Sequence, residues 1–155
     1  MLEQKARIDV QFVKGWWKDT GRPEDLLEAN RLILQELKPS IKCSINSNVS
    51  LFDPVAIGGG TIIHDCITTR GPTIIGDYCE IGPNAYIGPY TSVGNSVTIR
   101  NSEVENSIIM DKAYMDCGKR IIDSLIGRQV RIVSHEANMP KGHKLILGDM
   151  SYVTV

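Results

Sequence analysis

The histidines are the side chains of this sequence best suited to proton transfer, and there are three: His64, His135 and His143. An imidazole titrates close to neutral pH, so each is a candidate general base. His64 is the strongest candidate, because it follows Ile63 at a slot that glycine occupies elsewhere in the sequence, which predicts an exposed turn. No extended loop that would enclose a substrate follows it, so a surface position without catalysis is the simpler expectation.

Neither the histidines nor the cysteines are spaced for a metal site. A zinc site of three histidines needs ligands that converge from neighbouring segments, whereas His64 and His135 stand far apart in the sequence. The cysteines form no C-x-x-C pair and are too sparse for a disulfide framework. We therefore expect reduced thiols and no zinc at the four positions, which are Cys43, Cys66, Cys79 and Cys117.

Composition favours one globular domain. The chain has 155 residues, 42% of them hydrophobic, and 17 basic against 18 acidic side chains give a net charge of -1. This balance argues against nucleic acid or an anionic membrane as partner. No apolar run approaches the roughly 20 residues that span a bilayer, and the first residues do not resemble a signal peptide, so we expect a soluble cytoplasmic protein.

A modest basic cluster is a candidate site for an anionic regulator, although a solvated face is the commoner explanation for such a group. Its members are Lys119, Arg120, Arg128 and Arg131.

Two elements precede the main part of the chain. Residues Ile8–Val13 alternate apolar and polar side chains, which predicts a short strand. Pro23 and the two acids after it predict the start of a helix that runs to about Leu37, where Lys38-Pro39 ends it. The helix should bury one apolar stripe, formed by Leu26, Ala29, Ile33 and Leu37 and widened by Leu27 and Leu34.

From about Leu51 a six-residue repeat dominates the sequence. One file of apolar or β-branched residues comprises Ile57, Ile63, Thr69, Ile75, Ile81, Ile87, Val93 and Ile99. A second file, four residues later in each repeat, comprises Thr61, Ile67, Thr73, Cys79, Ala85, Thr91 and Val97. Two inward files separated by turns predict short strands wound into a prism, in which each coil stacks on the previous one.

Glycine follows the first file at Gly58, Gly76, Gly82, Gly88 and Gly94, and we expect these glycines to supply turn dihedrals that a side chain would penalise. Past Ile99 the phase slips, but two similar units show that the coils continue to about Ile132. The alternating tail from His143 to Val155 is expected to cap the last coil.

The segment before the repeat carries a specific resemblance. Residues 15–30, GWWKDTGRPEDLLEAN, are similar to the end of the catalytic domain in long-form glucose-1-phosphate thymidylyltransferases, and residues 106–111 and 123–132 resemble the β-helix of that family. The resemblance implies an all-β fold, a single-stranded left-handed parallel β-helix of five or six coils, behind a strand-turn-helix remnant. It divides the chain into 1–40, the end of the catalytic domain, and 41–155, the β-helix domain.

In that family the intact enzyme makes dTDP-glucose from dTTP and glucose 1-phosphate and uses magnesium. Carried over residue by residue, the resemblance makes Asp19 a magnesium ligand, with Trp17, Thr20 and Gly21 beside it as substrate-binding residues. A hard carboxylate oxygen suits magnesium bound to phosphate. The simpler reading of Asp19 is that its segment forms only the turn and cap of the helix.

This sequence departs from the family because the nucleotide-binding loop has no counterpart in it; Gly58-Gly59-Gly60 belongs to the repeat instead. We therefore expect no catalytic residue and no cofactor in this chain alone. The expected role is assembly into a homo-oligomer, with a trimer favoured, and partnership with the missing catalytic domain. The alternatives are a hexapeptide acyltransferase that uses His64 as its base, and a purely structural scaffold.

Overall fold

The computed structural model describes residues 19–45 and 48–134, together with Val153. The predicted strand Ile8–Val13, His135, His143 and most of the predicted tail cap lie outside these residues. In the part that is described, a helix, α1 (Pro23–Gln35), precedes sixteen short strands. They are β1 (Ser40–Ile41), β2 (Val49–Phe52), β3 (Val55–Ile57), β4 (Ile62–Ile63), β5 (Ile67–Arg70), β6 (Thr73–Ile75), β7 (Glu80–Ile81), β8 (Tyr86–Ile87), β9 (Thr91–Val93), β10 (Thr98–Arg100), β11 (Glu103–Glu105), β12 (Ile108–Ile109), β13 (Tyr114–Asp116), β14 (Arg120–Ile122), β15 (Leu125–Ile126) and β16 (Arg131–Val133).

The strands form three parallel sheets, one on each side of a triangular prism. Sheet A has the order β1-β3-β6-β9-β12-β15, sheet B the order β2-β5-β8-β11-β14, and sheet C the order β4-β7-β10-β13-β16. Because consecutive strands from β2 onward visit sheets B, A and C in turn, β2–β4 make coil one and β14–β16 make coil five. The predicted parallel β-helix is confirmed, with about five coils.

The core lies along the axis of the prism. All fifteen side chains of the two predicted files are buried, from Ile57 to Ile99 in the first and from Thr61 to Val97 in the second. Because side chains alternate along a strand, the short strands send alternate side chains into the core and the others outward. Stacking then buries each coil against its neighbours, and the core continues through Val104, Ile109 and Met115.

The phase slip has a simple structural cause. Strand partners are eighteen residues apart in the first coils, as for Ile57 and Ile75, but sixteen apart for Val93 and Ile109. Ile99, Val104 and Ile109 follow one another at steps of five, so two corner turns are one residue shorter than before. The shortened coils keep the same inward file, and the β-helix extends to β16 as predicted.

The repeated glycines serve a different purpose from the one expected. Of these five, only Gly82 has a positive φ, at +96°. The left-handed corner position is instead filled by non-glycine residues such as Tyr78 and Ser96, both with φ of 56°. Gly58 is required by close approach between coils, since a Cβ there would lie 2.6 Å from the carbonyl carbon of Gly76. The dihedral explanation was therefore wrong at most of these positions.

Helix α1 ends at Gln35, two residues before the predicted end. Leu34 is its one side chain that is fully buried, at 2% exposure, whereas Ile33 is 61% exposed. The predicted stripe was therefore wrong in including Ile33. From the helix the chain enters β1, whose Ser40 and Ile41 pair with Ala56 and Ile57 at the open edge of sheet A.

Candidate functional site

The predicted magnesium ligand and its neighbours precede the helix. Asp19, Thr20 and Gly21 are all exposed, while Trp17 lies outside the described residues. The start of α1 is closed by another acid, because the backbone N–H of Arg22 donates to Asp25 Oδ2 at 3.1 Å. The start of the helix is therefore capped without the Asp19 side chain.

The loop does not need glycine for its own geometry. A Cβ added to Gly21 would lie 3.7 Å from Asp19 Oδ1, which is an ordinary contact. A magnesium site is not complete here, however, since the described part of the chain contains no group of three histidine, cysteine or acidic side chains that could hold a metal ion. Asp19 would need ligands from another part of the protein or from bound phosphate oxygens.

Polar contacts join α1 to the β-helix. The side-chain amide of Asn30 donates through Nδ2 to the carbonyl of Tyr90 at 2.9 Å, and its Oδ1 accepts from Ser92 Oγ at 2.5 Å. Both partners belong to coil three and lie about sixty residues further along the chain. Asn30 therefore uses both functions of its amide to hold the helix on sheet A and its adjoining corner.

Arg31 extends this contact to the next two coils. Its Nε donates to Asn106 Oδ1 at 2.6 Å, and its guanidinium lies 3.8 Å from a carboxylate oxygen of Asp123. The Arg31 guanidinium carbon also lies 5.9 Å from the centre of the Tyr90 ring. Asn106 in turn donates to Asp123, so the residues that receive Arg31 are themselves linked. We call Asn30 and Arg31 the helix dock.

The helix dock was not predicted from the sequence. A signal was present, because Asn30 and Arg31 stand between Leu27 and Leu34 at helical spacing; in the structure Asn30 is partly buried and Arg31 is exposed. Polar residues within an apolar stripe are expected to find buried partners. Those partners could not be named, since they lie sixty or more residues away.

His64 lies at the corner between sheets C and B with a 40% exposed side chain, which agrees with the predicted surface turn. Its Nε2 lies 2.9 Å from Glu80 Oε1, an oxygen that also accepts from Arg100 at 2.5 Å. Hydrogen bonds, from Arg100 first and then from His64, hold the pKa of the Glu80 carboxyl below its usual value. Arg100 therefore shares the carboxylate that would otherwise orient His64 alone.

The predicted basic cluster does not form a single patch. Arg120 lies on sheet B, where it bonds Glu105 at 2.5 Å. Arg131 lies on sheet C, where its guanidinium carbon sits 4.6 Å from the centre of the Tyr114 ring. These two arginines face different sides of the prism and already have partners, so the cluster expected from the sequence was wrong as a unit. Among the described residues, no helix is long and apolar enough to cross a membrane.

Comparison with known proteins gives three informative relatives. The chain is 37% identical to a glucose-1-phosphate thymidylyltransferase of Streptomyces antibioticus over 100% of its own length and 43% of the relative. It is 36% identical to the low-salt glycan biosynthesis nucleotidyltransferase Agl11 of Haloferax volcanii, over 97% of this chain and 42% of that one. A bifunctional GlmU protein of Methanocaldococcus jannaschii is 39% identical over 81% of this chain and 31% of its own length.

The chain thus spans less than half the length of each of these curated relatives. The parallel β-helix of this chain agrees with the fold that the resemblance implied. A family model described as the GMPPB C-terminal domain matches residues 69–149, just over half of the chain. The chain therefore belongs to the GMPPB C-terminal domain family, and it corresponds to the carboxyl-terminal region of glucose-1-phosphate thymidylyltransferase-like proteins.

Proposed function

We propose that this chain is the assembly region of a glucose-1-phosphate thymidylyltransferase. The complete enzyme makes dTDP-glucose from dTTP and glucose 1-phosphate. The observation that carries the proposal is the docking of α1 on the β-helix, which attaches the loop of Asp19 to a rigid prism. A β-helix with a continuous core is a suitable support for a separate catalytic part. We also place the protein in the cytoplasm, in keeping with four free thiols.

In the whole protein, Asp19 would bind magnesium together with groups from the catalytic part. Bound magnesium would neutralise charge on the phosphate oxygens during nucleotidyl transfer. Trp17, Thr20 and Gly21 would line the substrate site next to this carboxylate. The chain by itself lacks the nucleotide-binding loop and is expected to be inactive.

The test is an assay of transferase activity with magnesium, dTTP and glucose 1-phosphate. We expect release of pyrophosphate when this chain is mixed with a separately expressed nucleotide-binding part of the protein, and none from either part alone. Activity from the chain alone would overturn its role as an assembly region. Absence of activity in a mixture that forms a stable complex would argue against the proposed reaction.

The outer faces of sheets B and C suit self-association into a trimer. Helix α1 lies on the side of sheet A, where it contacts Tyr90 and Ser92, so Tyr90 is a poor candidate for a contact between copies. Ile74 is paired with Ser92 in the same sheet and is a poor candidate for the same reason. Ile62 on sheet C is 58% exposed and Ile122 on sheet B is 54% exposed. A threefold arrangement of prisms brings two different faces of each copy together, which sheets B and C can provide.

Light scattering of the chain is expected to give a mass close to three times 17.1 kDa. Replacing Ile62 with glutamate should reduce the mass to that of one chain, because the new charge would be buried in the contact. The control is Ile33→Glu on α1, at a side chain that is similarly exposed at 61%. A monomeric parent chain, or a trimer that survives Ile62→Glu, would refute this use of sheet C.

The alternative is an acyltransferase that uses His64 as its general base. The contact of His64 with Glu80 favours it, because a carboxylate can orient an imidazole. The bond from Arg100 to the same oxygen weakens the case, since it neutralises the orienting charge. Binding of acetyl-coenzyme A that is lost in His64→Ala would support this alternative over assembly alone.

A further inference from the structure

We propose that Asn30 and Arg31 are positioning residues, which hold the loop of Asp19, Thr20 and Gly21 beside the last coil of the β-helix. The magnesium-binding role of that loop rests on the proposed function. The position of the loop on the β-helix depends only on this chain, and it can be tested without catalysis. A failure of the inference would therefore be distinguishable from a failure of the proposed function.

The direction of α1 along the prism follows from the coils that the chain contacts within and after the helix. After the helix, the chain enters β1, which pairs with β3 of coil one. Asn30, ten residues before Ser40, contacts coil three, and Arg31 reaches coils four and five. The helix thus runs along the axis of the prism in the direction opposite to the order of the coils. Its amino-terminal end points towards coil five.

The distance from Asn30 to the start of α1 places the Asp19 loop relative to the coils. Pro23 precedes Asn30 by roughly 10 Å of helix, at about 1.5 Å per residue. Neighbouring coils are separated by about 4.8 Å, the spacing of paired strands, so this length corresponds to about two coils. Counted from coil three, the start of α1 is level with coil five. The Asp19 loop, which immediately precedes it, lies beside the last coil.

Polar contacts keep the helix in this place. Leu34 is the one fully buried side chain of α1, but apolar contacts have no fixed direction and do not define the position of the helix along the axis. Hydrogen bonds have fixed lengths and directions, and those of Asn30 and Arg31 end on coils three and four. The ion pair of Arg31 with Asp123, at 3.8 Å, adds a contact with coil five. Together they determine the axial position and rotation of α1. The loop that precedes α1 is therefore held at a fixed position relative to the prism.

The experiment measures the distance between spin labels at Thr20→Cys and Gln129→Cys, two exposed positions on the loop and on coil five. Cys43 and Cys66 are replaced by serine so that only the two labels react, since the other two cysteines are buried. We expect one narrow distance distribution in this labelled chain. In the double variant Asn30→Ala with Arg31→Ala, the distribution should become at least about twofold broader, because α1 moves on the prism.

Hydrogen exchange of the same proteins separates positioning from general stability. Alanine is a better helix former than asparagine, so a helix held by its own propensity would exchange more slowly in the double variant. We expect instead that α1 amides exchange about tenfold faster, while strand amides of coils two to four stay within about twofold. Gln35→Ala, at an exposed side chain of the same helix, is the matched control and should change neither measurement.

A narrow distance distribution in the double variant would overturn the inference. So would an equal acceleration of exchange in the strands and in α1, since that would show only a loss of overall stability. Broadening that also occurs in Gln35→Ala would show that α1 is positioned by something other than Asn30 and Arg31.

Discussion

Replacement of Gly76 by alanine is expected to lower the free energy of unfolding by about 3 kcal/mol. The added Cβ would lie 2.5 Å from the carbonyl oxygen of Gly94 and 2.7 Å from its carbonyl carbon. These atoms are backbone, and the coils cannot separate easily because the N–H of Gly76 donates to Val93 at 2.8 Å. Relief of the clash therefore requires a shift that breaks bonds between two coils.

Gly59→Ala is the matched control for this prediction. A Cβ at Gly59 would meet Asp77 Oδ1 at 3.9 Å, an ordinary van der Waals distance, and stability should change by less than about 0.5 kcal/mol. Denaturant unfolding measures both variants, and the melting temperature of Gly76→Ala should fall by about 10 °C. Equal losses in the two variants would show that close approach between coils is not the reason for Gly76.

Asp19→Asn is expected to lower nucleotidyl transfer by roughly 100-fold or more in the mixture that restores activity. This prediction rests on the proposed function. An asparagine keeps the shape of the side chain but removes the negative charge that a magnesium ligand contributes. Because Asp19 is exposed and the start of α1 is capped by Asp25, the unfolding transition of the chain should not change. Activity and stability should therefore separate in this variant.

The control is Glu24→Gln, which removes an exposed carboxylate from the first turn of α1, five residues after Asp19. Its transfer activity should stay within about twofold of the parent mixture. Initial rates measured over a range of magnesium concentrations would test both variants. A loss of less than tenfold in Asp19→Asn, or an equal loss in Glu24→Gln, would contradict a specific role of Asp19 in magnesium binding.

The repeat made the β-helix predictable in some detail. Each hexapeptide places an apolar or β-branched residue at the same point of a short strand, and stacking of the next coil buries that residue. The buried identities from Ile57 to Ile99 were therefore available from local pattern alone. The start of α1 was likewise predictable from Pro23 and the acids after it, because helix starts depend on neighbouring residues.

The reason for the glycines could not be predicted in the same way. A local pattern shows that Gly58 and Gly76 recur, but it does not distinguish a dihedral requirement from a contact with another coil. The structure assigns most of them to contact, and leaves the left-handed corners to residues such as Tyr78. The exposure of Ile33 has the same origin, since only the position of α1 on sheet A decides which of its apolar side chains is covered.

The sequence by itself determined the fold class, the buried files, the extent of the coils and the family, because each depends on a pattern repeated within a few residues or on a contiguous motif. Only the tertiary structure decided which face carries α1, how Arg100 shares Glu80 with His64, and where Asn30 and Arg31 attach the helix. These contacts join residues sixteen or more positions apart, and their partners are selected by the stacking of coils in three dimensions. The physical reason is that burial is specified by local periodicity, whereas hydrogen bonds between coils and helix depend on positions that exist only after the prism has formed.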